Sequence, residues 1–380
     1  MTRVLMATLA TVTALALTTG TAHAAPTTTH SSTTTDSFTG PTPPAEPRAG
    51  DFGKVFAITD RLAAQIASAL ADRTVRDRIA SATASGAADL LKLERDTSLG
   101  PAARAANLSV LAAKGLPANG GSVLQVRLAD PGMRAALARG EVPLVAAVPT
   151  DDAPTAVTAY DPLGGKVLLD PVKAPQRPVL VVDVDVAKSL TMGLQLMRDT
   201  LSARGIVAAK PLAATSAGGY WATKVNAIRL NDDEEPWIKG AAEIYSIVGG
   251  FGLDGKPTVN IVQMPYLDYD GTTYYPNQLL VHFSAYKYNL ADVVMMEDDG
   301  DTNYQQLAQA IAAALLTIVD GGVYTPLVSA ILSAIPTSWW TDDPDYVDSW
   351  YTLSTSSNGR LNGAAANGWM DVAPYWVSEL

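Results

Sequence analysis

The chain has no cysteine and only three histidines among its 380 residues. Without a thiol it can form no disulfide, no thiolate zinc or iron–sulfur site, no thiol nucleophile and no lipid-modified cysteine. His23 falls in the N-terminal segment and His30 in a Thr/Ser/Pro-rich stretch, which leaves His282 for the folded region. A multi-histidine zinc site is thereby excluded, and a Ser–His–Asp triad has only His282 to draw on. In Leu279-Leu280-Val281-His282-Phe283 that residue alternates against apolar neighbours, as a partly buried strand position does. Basic side chains are also scarce: 27 Lys and Arg face 38 Asp and Glu, a formal charge of −11. That balance argues against nucleic acid as a partner and against an electrostatic hold on anionic membranes.

The N-terminal residues address the compartment. Arg3, the apolar run of residues 4–17 and the small-x-small site Ala22-His23-Ala24 predict a secretory signal peptide over residues 1–24. The run is short for a membrane anchor, and no transmembrane span is expected in the mature chain. Residues 25–50 are Thr, Ser, Pro and His with few apolar side chains; such a segment reads as a flexible tether.

Beyond the tether the expected fold class is α+β. Residues 51–212 read as a mixed helical domain, with apolar residues at helical spacing (Val55, Ile58, Leu62, Ile66, Leu70). Short extended runs follow at 123–126, 144–148, 167–169 and 178–184, then a helix over 186–203. All seven Trp and thirteen of the fourteen Tyr lie at or beyond Tyr220, a composition break that places a domain boundary in residues 213–219. Residues 213–380 read as an antiparallel β-sandwich with a helical pair inserted at 303–336. Strands are predicted at 221–230, 242–248, 259–264, 279–288, 292–296, 350–355 and 370–377. A helix over 304–319 would span about 24 Å, short of a ~30 Å hydrocarbon core, so the pair is expected to pack on the sheets.

Three motif matches carry no chemistry. Gly250-Phe251-Gly252-Leu253-Asp254-Gly255 fits G-x-G-x-x-G and opens like a P-loop, yet Pro257 stands where Ser or Thr is needed. The run after it has strand character, so no helix N-terminus is present to hold phosphate. Ser284-Ala285-Tyr286-Lys287 fits S-x-x-K but reads as strand, with no K-T-G or S-D-N following.

What the chain has in excess is carboxylate. Between Asn231 and Asp301 thirteen Asp and Glu face three Lys, which is −10 of the net −11. The acids concentrate in Asp232-Asp233-Glu234-Glu235 and in Glu297-Asp298-Asp299-Gly300-Asp301, each beside an apolar strand-like run. Clustered carboxylates repel unless water screens them or a cation sits among them. A solvated acidic surface is one reading; calcium, which takes six to eight oxygen ligands, is the other. The turn Asp268-Tyr269-Asp270-Gly271 either closes a third side or is a simple hairpin turn, and no segment meets the EF-hand pattern.

The order of an acidic loop, the run Ala242-Glu243-Ile244-Tyr245, then Val293-Val294-Met295-Met296-Glu297-Asp298-Asp299-Gly300-Asp301 resembles the two ligand loops of calcium-and-phospholipid-binding sandwiches of the synaptotagmin kind. The resemblance implies Asp232, Asp233, Glu243, Glu297, Asp299 and Asp301 as calcium ligands. It covers about eighty residues, and Glu243-Ile244-Tyr245 departs from the Asp-Pro-Tyr of that family. Glu235-Pro236-Trp237-Ile238-Lys239-Gly240, the stretch from Tyr266 to Gln278 and Asp301-Thr302-Asn303-Tyr304 resemble a secreted bacterial family catalogued as a domain of unknown function, number 3103. That resemblance implies no activity.

The sequence thus reads as a secreted, calcium-binding, non-catalytic binding module whose ligand is a lipid, a carbohydrate or a protein. A secreted carboxylate-dependent hydrolase acting on polysaccharide remains the alternative, since two acids and aromatic platforms meet its needs.

Overall fold

The computed structural model describes residues 53–149, 154–207, 218–231, 237–240, 242–298, 300–335 and 346–378. The N-terminal region opens with α1 (Lys54–Ala69), α2 (Arg73–Thr83), β1 (Ala88–Asp89), α3 (Leu90–Leu93) and α4 (Gly100–Ala113). The spacing of Val55, Thr59, Leu62 and Ile66 gives α1 one buried face. Asp72 starts α2 by accepting a hydrogen bond from the Thr74 amide at 2.7 Å. Next come β2 (Leu124–Leu128), α5 (Arg134–Ala138), β3 (Leu144–Ala147), β4 (Val157–Tyr160), β5 (Lys166–Leu169), β6 (Val179–Val184) and α6 (Val186–Ala203). The six strands form one mixed sheet, ordered β1-β2-β6-β3-β4-β5, in which only β3 and β6 run parallel. β6 is buried along its whole length, as its unbroken Val-Leu-Val-Val run requires.

The C-terminal region holds β7 (Gly219–Leu230), β8 (Ile244–Phe251), β9 (Pro257–Gln263), β10 (Gln278–His282), β11 (Leu290–Glu297), α7 (Tyr304–Leu315), α8 (Val328–Ala334), β12 (Tyr346–Ser354), β13 (Gly359–Asn362) and β14 (Gly368–Ser378). They make two four-stranded antiparallel sheets, β12-β11-β8-β9 and β10-β7-β14-β13. β8 is buried on both faces. Ile244 and Val248 join Val225, Ile228, Met370 and Val372 of the other sheet in one cluster. Tyr245, Ile247 and Phe251 join a second cluster with Leu307 and Ile311 of α7 and Ile331 of α8. The fold is therefore a helical and mixed N-terminal region followed by antiparallel sheets with helical insertions.

That second cluster also contains Val55, Ile66 and Val182, so the N-terminal sheet and its helices share a core with the C-terminal helices. The boundary expected at 213–219 lies largely outside the described residues. One local expectation needs correction. The strand read over 279–288 ends at His282, and Phe283–Ala285 form a 3-10 turn, so the S-x-x-K match sits on that turn. Helix α4 lies in an Ala-rich stretch for which no element is expected from the sequence. The G-x-G-x-x-G match is the tight connection from β8 to β9, closed by the Gly252 amide donating to the Lys256 carbonyl at 2.7 Å.

Candidate functional site

The acidic segment after β11 meets the end of α4. Asn303 caps α7 through the Gln306 amide at 3.0 Å, and its side-chain amide donates to the Ala113 carbonyl at 2.7 Å. The Tyr304 amide donates to the Lys114 carbonyl at 3.2 Å. The N-terminus of α7 is thus seated on the C-terminus of α4. Gly115 follows with φ 66°, and a side chain there would come within 2.6 Å of Asn303 Oδ1.

Lys114 is fully buried. Its Nζ lies 3.3 Å from Asp298 Oδ1, with neither side chain exposed to solvent. The Tyr304 hydroxyl donates to the other oxygen of Asp298, and Lys114 Nζ stands 4.9 Å from the centre of the Tyr304 ring. Burial and the adjoining Asp298 charge push the Tyr304 hydroxyl well above its ordinary pKa, so it remains a donor. Gly193 of α6 gives the ring its space: a Cβ there would approach it to 2.4 Å.

Two more carboxylates bear on this pair. Glu243 is held up to about 7, first by burial and then by the charges of Asp298, Asp268 and Asp185. Its carbonyl accepts from the Asp298 amide at 3.2 Å. Asp301 accepts from the Gly53 amide at 2.9 Å, at the start of α1. Burial raises its pKa, while that amide and the Lys114 charge pull it down. Glu297, buried at the last position of β11 and in register with Ile244, alternates with Met295 toward the inter-sheet cluster, away from this pair. Asp268, in the turn expected to close a third side, bears electrostatically on Glu243 and is itself raised by burial.

Of the six expected calcium ligands, Glu243 and Asp301 therefore come to one junction, Glu297 faces the other side of β11, and Asp232, Asp233 and Asp299 lie outside the described residues. Among the described residues no three His, Asp or Glu are arranged to hold a metal ion. The residue that sequence reading missed is Lys114. Its only local signal is a Lys-Gly pair ending an Ala-rich helix, which reads as an ordinary C-cap; its partner is 184 residues away.

Other buried acids serve the scaffold. Asp292 accepts from the Leu327 amide at 2.6 Å, the Thr352 amide at 2.8 Å and the Tyr324 hydroxyl at 2.8 Å, tying β11 to the approach of α8 and to β12. Asp348 accepts from the amides of Ser349, Ala365 and Gly368 and fixes the β13–β14 hairpin against β12. His282 is half-buried at the end of β10, where Nδ1 is 2.9 Å from the Tyr220 hydroxyl, and burial lowers its pKa.

A mixed α/β protein with two antiparallel sheets, helical insertions and a buried acidic junction is what these features define. The chain belongs to the family described as "Protein of unknown function (DUF3103)", whose family model matches residues 57–379. It has no significant match among curated proteins or among solved structures. No described helix is long and apolar enough to cross a membrane.

Proposed function

We propose that the chain is a secreted, non-catalytic binding module, built on a β-sandwich, whose acidic junction takes up calcium. One observation carries the reading. Buried Lys114 pairs with Asp298 and its charge acts on Asp301, while Glu243, beside Asp298, is forced up to about 7 partly by three neighbouring carboxylates. In sequence, Asp232, Asp233 and Asp299 add three carboxylates within a few residues of β7 and β11. The likeness of those sequence segments to the ligand loops of calcium-binding sandwiches supports calcium, and the signal-like residues 1–24 support export.

Calorimetric titration of the metal-free chain tests this. Calcium at a hundred times its Kd stabilises by about 2.7 kcal/mol, a rise of roughly 4 °C in melting temperature. Magnesium is expected to do less, because it requires rigid octahedral geometry. Asp299→Asn with Asp301→Asn is expected to remove the calcium response. An unchanged melt and no heat of binding in the unsubstituted chain would leave the acidic turns as solvated surface. The alternative of a carboxylate-dependent polysaccharide hydrolase is favoured by one feature, since a carboxyl near 7 suits general acid–base work. Glu243→Gln separates the two readings: a hydrolase loses turnover on polysaccharide and keeps its fold.

A further inference from the structure

We propose that the outer face of the β10-β7-β14-β13 sheet binds an acidic polysaccharide. The proposal rests on reading the chain as a binding module, though not on its cation.

Strand alternation defines the face. Met370 and Val372 of β14 point into the core, so Trp369, Asp371 and Tyr375 point away from it. Cross-strand register puts Arg229 opposite Trp369, Arg360 opposite Asp371, and Lys224 opposite Ala373, all on that outer side. The Arg360 guanidinium lies 3.6 Å from the Trp369 ring centre, and Lys224 Nζ lies 5.6 Å from that of Tyr375. Neither cation has an ion pair or hydrogen bond among the described residues. Arg229 Nε is buried without a hydrogen-bond partner. Asp371, the carboxylate on the same face, accepts from the Asn226 side-chain amide at 3.1 Å.

Three cations to one carboxylate is the reverse of the chain as a whole, whose net charge is −11. A protein with surplus carboxylates that leaves these cations unpaired, two of them held over aromatic rings, presents a pre-oriented receptor for negative charge. A stacked guanidinium keeps its N–H edge free for bidentate contact with a carboxylate. The aromatic rings offer apolar surface between the charges, which suits the C–H faces of sugar rings.

The spacing selects the ligand. β13 and β7 are two strand intervals apart, so Arg360 and Lys224 stand roughly 12 Å apart at the backbone. A chain with charges spaced along it spans that distance; a single small anion does not. Nucleic acid carries a charge every ~1.7 Å of duplex and is opposed by the field of the acidic chain. Sugar acids on a polysaccharide are sparser and bring their own apolar faces.

The test titrates the full chain, in chelator so that calcium plays no part, with polygalacturonate, neutral dextran and oligo-dT. Binding of polygalacturonate that weakens with salt is expected, with Lys224→Ala and Arg360→Ala each reducing affinity about tenfold. Asp371→Asn is expected to tighten binding, a gain that misfolding cannot produce. Lys256→Ala, a change at the distant β8–β9 turn, is expected to have no effect. Absence of polygalacturonate binding, equal binding of dextran or oligo-dT, or wild-type affinity in folded Lys224→Ala and Arg360→Ala proteins overturns the proposal. Because chelator is present throughout, a failed calcium titration and a failure here are separate results.

Discussion

Replacing Lys114 by Met probes the acidic junction at its buried cation. Met keeps much of the aliphatic stem, so the loss is chiefly that of charge. Asp298 then keeps the Tyr304 hydroxyl but loses its counter-charge at 3.3 Å, in a place where neither partner touches solvent. Breaking a buried pair from one side costs about 3–5 kcal/mol, because an uncompensated charge stays behind. In a chain of this size that is a fall of roughly 4–7 °C in melting temperature. Asp298→Asn leaves the opposite charge stranded and belongs in the same range. The two single changes are not symmetric. Lys114 also offsets Asp301, so losing it exposes two carboxylates to one another and makes Lys114→Met the more damaging change. In the double variant no stranded pair remains, and the combined loss is expected to fall short of the sum by about 2 kcal/mol or more. Chemical denaturation of the four proteins in chelator measures the cycle. Additive losses, or a Lys114→Met protein within about 1 kcal/mol of wild type, would refute the reasoning.

Further expectations concern pH, packing and chain organisation. The folded-state pKa of Glu243, about 7, is above its ordinary 4.5, so its contribution is full below pH 4.5 and is lost as pH rises through 7. Allowing for solvent screening, that loss is about 1–2 kcal/mol, and melts from pH 4.5 to 8 should flatten by that amount in Glu243→Gln. Gly193→Ala would press a methyl group to 2.4 Å of the Tyr304 ring and is expected to destabilise by about 1–3 kcal/mol in denaturant titrations. Limited proteolysis is expected to cut near residues 213–219. The fragments should co-elute on size exclusion, because Val55, Val182, Leu307 and Ile331 belong to one core; separate elution contradicts a shared core.

Much of the strand order was legible because alternation and β-branched runs are local signals. β7, β8, β9, β11 and β14 fall within a few residues of the expected runs. The Ala-rich α4 was not, since Gly100-Pro101-Ala102-Ala103 offers no contrast between faces, and alanine suits buried and exposed positions alike. The strand read through 288 failed because Phe283 continues the apolar pattern while the backbone turns. For the site, sequence located the excess of acid but not its division of labour. Asp298 is an ion-pair partner, Asp301 meets the amide that opens α1, and Asp292 and Asp348 brace the sheets. Those roles depend on contacts across many tens of residues, which no local period encodes. The cationic outer face was equally hidden, because Lys224, Arg229, Arg360 and Trp369 are brought together only by strand register.

The most direct measurement follows the Glu243 carboxyl by carbon NMR across pH, with Glu243→Gln to identify its signal, in chelator and then in saturating calcium. In chelator the carboxyl is expected to titrate near 7, and calcium among its neighbours is expected to bring it down toward the ordinary 4.5 or below. Titration near 4.5 in the metal-free protein, or a value that calcium leaves unmoved, contradicts the account of a junction that is short of positive charge and filled by calcium.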